Sequence, residues 1–125
     1  MTKSEKKDIV LEDDNFFSIY DAAPVSKGHT IIIPKKHIIS FFEIKPEFAK
    51  LLYQFIVKVK NKIDEKHHPD GYNIGINDGR SAGRSIDHLH IHLIPRYNED
   101  IKEPRGGIRN IFGKYTPPEQ PPEDF

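Results

Sequence analysis

No cysteine occurs among the 125 residues of this chain. That excludes disulfides, thiolate nucleophiles and cysteine-based zinc sites, and it fits a reducing compartment. Charge of one sign is also missing in excess: Lys plus Arg number 19, Asp plus Glu 19, and the formal net charge is +0. No overall field therefore recruits nucleic acid or an anionic membrane surface, although local groups can still hold a small anion. Long apolar runs are absent, and residues 1–10, MTKSEKKDIV, are too polar for a signal peptide. The expected location is the cytoplasm. The length suits one compact domain with a single core.

Within that length the pattern divides into three stretches. Residues 1–8 read as a polar, flexible N-terminus and 9–97 as the domain, while 98–125 form a proline-rich tail. In the domain, Ile9–Leu11 and Phe16–Tyr20 read as short strands around a turn at Asp13-Asp14-Asn15, and Thr30–Ile33 as a third strand ended by Pro34. Short polar connections predict an antiparallel meander. Phe48, Leu51, Leu52, Phe55, Ile56, Val59 and Ile63 recur at three- and four-residue steps, which predicts one long helix over 46–64 with Pro46 at its first position. Tyr72–Ile76 reads as a strand and Asn77–Ser85 as a glycine-containing loop.

The densest chemistry follows that loop, in His88-Leu89-His90-Ile91-His92-Leu93-Ile94. On a strand over 87–94, alternate side chains share a face, so Leu89, Ile91 and Leu93 enter a core while three imidazoles face outward. Neutral imidazole serves as nucleophile, acid/base group or metal ligand near pH 7. The histidines could thus attack an electrophile such as phosphorus, chelate a divalent metal, or simply be satisfied surface groups. The loop before them supplies Asn77, Arg80, Gly83, Arg84 and Ser85. Backbone N–H groups in a glycine-rich turn, with arginine nearby, suit phosphate oxygens, and this favours phosphate chemistry over metal.

The run His-φ-His-φ-His-φ-φ, where φ is hydrophobic, matches the signature of the histidine-triad (HIT) superfamily of nucleotide hydrolases and transferases, which this chain resembles over about residues 9–97. Phe17–Asp21, Gly28–His37, Gly71–Gly75 and Asn77–Tyr97 extend the similarity. The resemblance implies an α+β fold, with a five-stranded antiparallel sheet and one main helix, dimerising into a continuous ten-stranded sheet. It implies a nucleotide substrate, an adenine nucleotide by expectation, and no cofactor. By the same carry-over, His90 is the nucleophile at the α-phosphorus and forms a nucleotidyl-histidine intermediate that water hydrolyses. His92 contacts phosphoryl oxygens and the leaving group. His88 orients His90 through its carbonyl and a polar network that includes His29. Asn77, Gly83 and Ser85 hold phosphate or the leaving group, and Asp21 the ribose hydroxyls.

Two departures from the family pattern matter. The Cys-x-x-Cys of many bacterial members is absent, so no metal is expected, although His37 matches a histidine that can serve their zinc. Arg84 stands where glutamine is frequent, and a fixed cation there would suit a polyphosphate leaving group. Position 89 is Leu and position 92 His, which favours hydrolysis over sugar-phosphate transfer. The expected activity is hydrolysis of dinucleoside polyphosphates or other AMP-linked compounds. The alternatives are purine nucleoside phosphoramidate hydrolysis, a non-catalytic nucleotide-binding protein, and a metalloenzyme.

Overall fold

A computed structural model describes residues 9–119 of the chain; the N-terminal segment expected to be flexible therefore lies outside the described residues. Five strands form one antiparallel sheet: β1 (Ile9–Glu12), β2 (Phe16–Tyr20), β3 (Thr30–Pro34), β4 (Gly71–Gly75) and β5 (Ile91–Arg96), in the order β1-β2-β3-β5-β4. The hairpins β1-β2 and β2-β3 are the expected meander. Asp13 closes the first turn by accepting the N–H groups of Asn15 and Phe16, both at 2.8 Å. β5 then enters between β3 and β4, which places His92 on an interior strand.

One face of the sheet carries the core. Phe16, Ile32, Leu89, Ile91 and Leu93 are buried, and they meet Leu52, Phe55, Val59 and Ile63 of the helix α1 (Pro46–His67). Phe16 anchors this layer, with ring centroids 5.0 Å from Phe48 and 5.3 Å from Phe55. The helix starts at Pro46, whose missing N–H is harmless there, and Glu47 complements the dipole. It runs a turn's length beyond the expected residue 64, to His67. His68 then adopts φ 53°, ψ 51° and donates its N–H to the Asp64 carbonyl, a left-handed stop. Leu51, expected in the apolar stripe, is exposed. The helix covers a narrower band of sheet than its sequence pattern suggested.

The opposite face is largely uncovered by other elements. Strand register sorts its residues into rows across the sheet. Ile19, Ile31, His92 and Gly75 are successive cross-strand partners. Ile94 pairs with Asn73 one row further, where the Asp21 N–H also reaches the His29 carbonyl at 2.9 Å. All of these side chains sit on the face away from α1, because their neighbours Ile32, Leu93 and Pro95 are buried against it. Beyond Arg96 the tail folds mostly on itself: Arg105 binds Glu103 and the Pro118 carbonyl, Arg109 stacks on Tyr115, and a 3-10 segment spans Gly107–Phe112.

Candidate active site

β5 begins at Ile91, not at Asp87, so His88 and His90 precede the ladder. The alternation nevertheless persists: Leu89, Ile91 and Leu93 are buried, and His88, His90 and His92 are each half-buried on the other side. The Leu89 N–H donates to the Ile38 carbonyl at 2.7 Å, which holds the pre-strand segment in an extended path.

Hydrogen bonds to main-chain groups decide where each imidazole keeps its proton. A carbonyl can only accept, so His90, with Nδ1 2.9 Å from the His88 carbonyl, carries its proton on Nδ1. In the neutral ring, Nε2 then holds the lone pair that a nucleophile requires. His88 donates its own Nε2–H to the Pro34 carbonyl at 2.7 Å and lies edge-on to His37, with ring centroids 5.3 Å apart. His88 is therefore fixed by β3 and in turn fixes His90.

His92 is set the other way round. The Val25 N–H donates to His29 Nδ1 at 3.1 Å, so the His29 proton sits on Nε2. That N–H points at His92 Nδ1, 2.9 Å away. His92 must accept there and hold its proton on Nε2, which makes it a donor toward the open face. Burial lowers the pKa of both His29 and His92, with the Asp21 charge opposing only in part; neighbouring His29 and His90 depress His92 further. The pair is neutral near pH 7. His29, expected to work with His88, instead belongs to His92.

Asp21 stands at the end of β2 beside this pair. Its Oδ2 lies 3.4 Å from His29 Nε2 and 3.6 Å from His92 Nδ1, and its Oδ1 accepts the Ala23 N–H at 2.8 Å. Asp21, His29 and His92 together offer three ligand atoms within 4.8 Å of one another. A metal could engage them only by replacing the bond between the two imidazoles. The carboxylate beside His29 and His92 is thus Asp21, brought there from the end of β2.

The loop residues converge less tightly. Gly83, at φ +103°, lies against Asn77, and a side chain on it would meet the Asn77 amide at 3.8 Å. Asn77, Gly83 and Ser85 are exposed, and among the described residues none of their side chains bonds to a histidine of the run. The amides of Ala82, Gly83 and Arg84 are spent on carbonyls of Gly79 and Arg80, so they form no anion cradle. Arg84 is mostly buried, with Nε 3.2 Å from Asp87 Oδ1, close enough for charge pairing but misaligned for a hydrogen bond. Arg80 reaches the same carboxylate at 3.3 Å. The fixed cation expected at Arg84 thus has Asp87 beside it. Arg105 and Arg109 of the tail bond to Glu103 and Tyr115 within it. The Val25 amide and the Pro34 carbonyl escaped sequence reasoning, since main-chain partners leave no side-chain signal.

Comparison with known proteins completes the picture. A family model described as the HIT domain matches residues 2–99. The protein Hit of Bacillus subtilis is 39% identical over 90 residues, covering 72% of this chain and 62% of that protein. An adenylylsulfatase of Arabidopsis thaliana is 37% identical over 73% of this chain and 46% of its own length. An adenosine 5'-monophosphoramidase of Schizosaccharomyces pombe is 39% identical over 64% and 57%, respectively. This chain thus spans about three fifths or less of each relative. Among solved structures, a hypothetical histidine triad nucleotide-binding protein from Sulfolobus tokodaii superposes with a TM-score of 0.70 at 38% identity, covering 77% of this chain and 67% of that one. The family-model match over residues 2–99, with the likeness of fold and sequence to these relatives, makes this chain a member of the HIT family.

Proposed function

We propose that the protein is a nucleotidyl hydrolase that cleaves AMP-linked compounds at the α-phosphorus through a nucleotidyl-histidine intermediate on His90. The observation that carries this reading is the opposed tautomers of neighbouring histidines: His90 presents a lone pair and His92 an N–H on the same face. A phosphorus atom above the sheet can then meet a nucleophile and a hydrogen-bond donor together. In the first step His90 Nε2 bonds to phosphorus as the bond to the leaving group breaks; a phosphate departs as an anion, and an amine departs with a proton drawn from solvent. In the second, water replaces the histidine, AMP leaves and His90 is restored. Ile19 and Ile31, in the row that contains His92, form an apolar floor for the nucleoside.

Dinucleoside polyphosphates are the first substrate class, and AMP amides the second. Pairing of Arg84 with Asp87 removes one argument for a polyphosphate, and the resemblance to a monophosphoramidase supports the amide. Wild type and His90→Ala are incubated without added metal with a diadenosine polyphosphate or adenosine phosphoramidate, and AMP is followed by chromatography. The reading expects AMP from wild type and at least a thousandfold loss in the variant, with AMP binding retained. Equal turnover by both proteins would refute it. Binding without turnover in wild type would point to a nucleotide-binding protein.

A further inference from the structure

Gly75 faces the candidate site for no reason that the backbone requires. It ends β4, pairs directly with His92 and therefore shares the open face with it. Its φ lies outside the left-handed region, and a Cβ built on it meets nothing within 4 Å. A β-branched residue would be the better strand former at this place, since glycine carries an entropic penalty in strands. The fold has no use for a bare position here; the space above it does.

That space leads somewhere. One row along the same face, Asn73 and Ile94 line an open cavity of about 440 Å³ that Val25, Ser26, Tyr97 and Ile101 flank. Val25 is the residue whose amide sets the His29 tautomer, so the cavity adjoins the His29–His92 pair. The Arg96 guanidinium on its wall is engaged by Asp100 and Asn73. Ile19 and Ile31 lie on the other side of His92, toward β2.

We propose that Gly75 is a specificity-determining position, whose missing side chain keeps open a passage from His92 to this cavity for a leaving group with a bulky apolar body. The inference rests on the nucleotidyl-hydrolase reading and adds to it the direction and size of the departing group. With the nucleoside on Ile19 and Ile31, the leaving group extends across Gly75, on the opposite side of His92.

The test compares wild type, Gly75→Ala, Gly75→Val and Ile74→Thr. Ile74 is half-exposed and pairs with the buried Leu93, so it faces away from the site. Two substrates share one adenylate: unsubstituted adenosine phosphoramidate, and the same amide carrying a naphthylethyl group. Gly75→Val should lower kcat/KM for the bulky amide at least tenfold more than for the small one. Gly75→Ala should fall between, and Ile74→Thr should leave the ratio of the two unchanged. Thermal unfolding confirms folding, with the Val variant at least as stable as wild type. A parallel loss on both substrates, an unchanged ratio, or a changed oligomer mass with a parallel loss would overturn the proposal. If wild type cleaves neither amide, the hydrolase reading fails by itself. Calorimetry of the bulky amide against AMP then decides on Gly75: selective weakening of the bulky ligand by Val supports the passage, and no selectivity refutes it.

Discussion

At the scale of single residues, neutral histidines dominate the behaviour expected of this protein. His29 and His92 have pKa values lowered chiefly by burial. In the unfolded chain they bind protons near the ordinary value of about 6.5, before the folded state does. Stability is therefore complete above that pH and declines as pH falls toward their folded values. Melting temperature should drop between pH 7 and 5, and the drop should shrink in His29→Asn; an equal drop in that variant would refute the linkage. Gly28 offers a second residue-scale outcome. Its φ is +89°, and an added Cβ would lie 3.0 Å from His67 and 3.3 Å from Pro95. Gly28→Ala should destabilise by about 1–3 kcal/mol in denaturant titration, through left-handed strain and crowding. It should also disturb catalysis, because His29 is the next residue.

At the scale of elements, the alternation in residues 88–94 was readable because a strand has an integral period of two and each buried aliphatic is large. The helix was readable from its three- and four-residue spacing, but its end was not. His67 continues it because the left-handed stop falls on His68, a residue with only modest preference for that conformation. The start of β5 is hidden for a related reason: the side-chain pattern continues through His88 and His90 while the ladder does not. Cross-chain geometry was least legible. Nothing in the local sequence tells Asp21 and His29 to meet His92, since that encounter depends on register between β2, β3 and β5. Truncating the helix ring that packs on Phe16, Phe55→Ala, should cost about 3–5 kcal/mol in denaturant titration. A loss below 1 kcal/mol would mean that the layer packs less closely than its aromatic contacts imply.

At the scale of the whole molecule, β4 is an edge strand with backbone groups available to another strand. Pairing two copies along this edge would give the ten-stranded sheet that the resemblance implies, and light scattering at micromolar concentration should report twice the chain mass. A monomer would remove that arrangement. Metal is a further whole-molecule question, because Asp21, His29 and His92 approach one another closely. If the tautomer relay is what matters, turnover should survive exhaustive chelation, and stoichiometric zinc after desalting would argue for the alternative chemistry. Finally, the two sides of the extended segment 88–93 impose a particular economy on inheritance. Leu89, Ile91 and Leu93 answer to selection for folding, while His88, His90 and His92 answer to selection for chemistry, in strict alternation along one short piece of gene. Substitutions can explore either property separately, but a single-codon insertion between them would exchange the two sets at once. Variation in this segment should therefore proceed by replacement at constant length, and a library of one-residue insertions there should yield no folded, active clones.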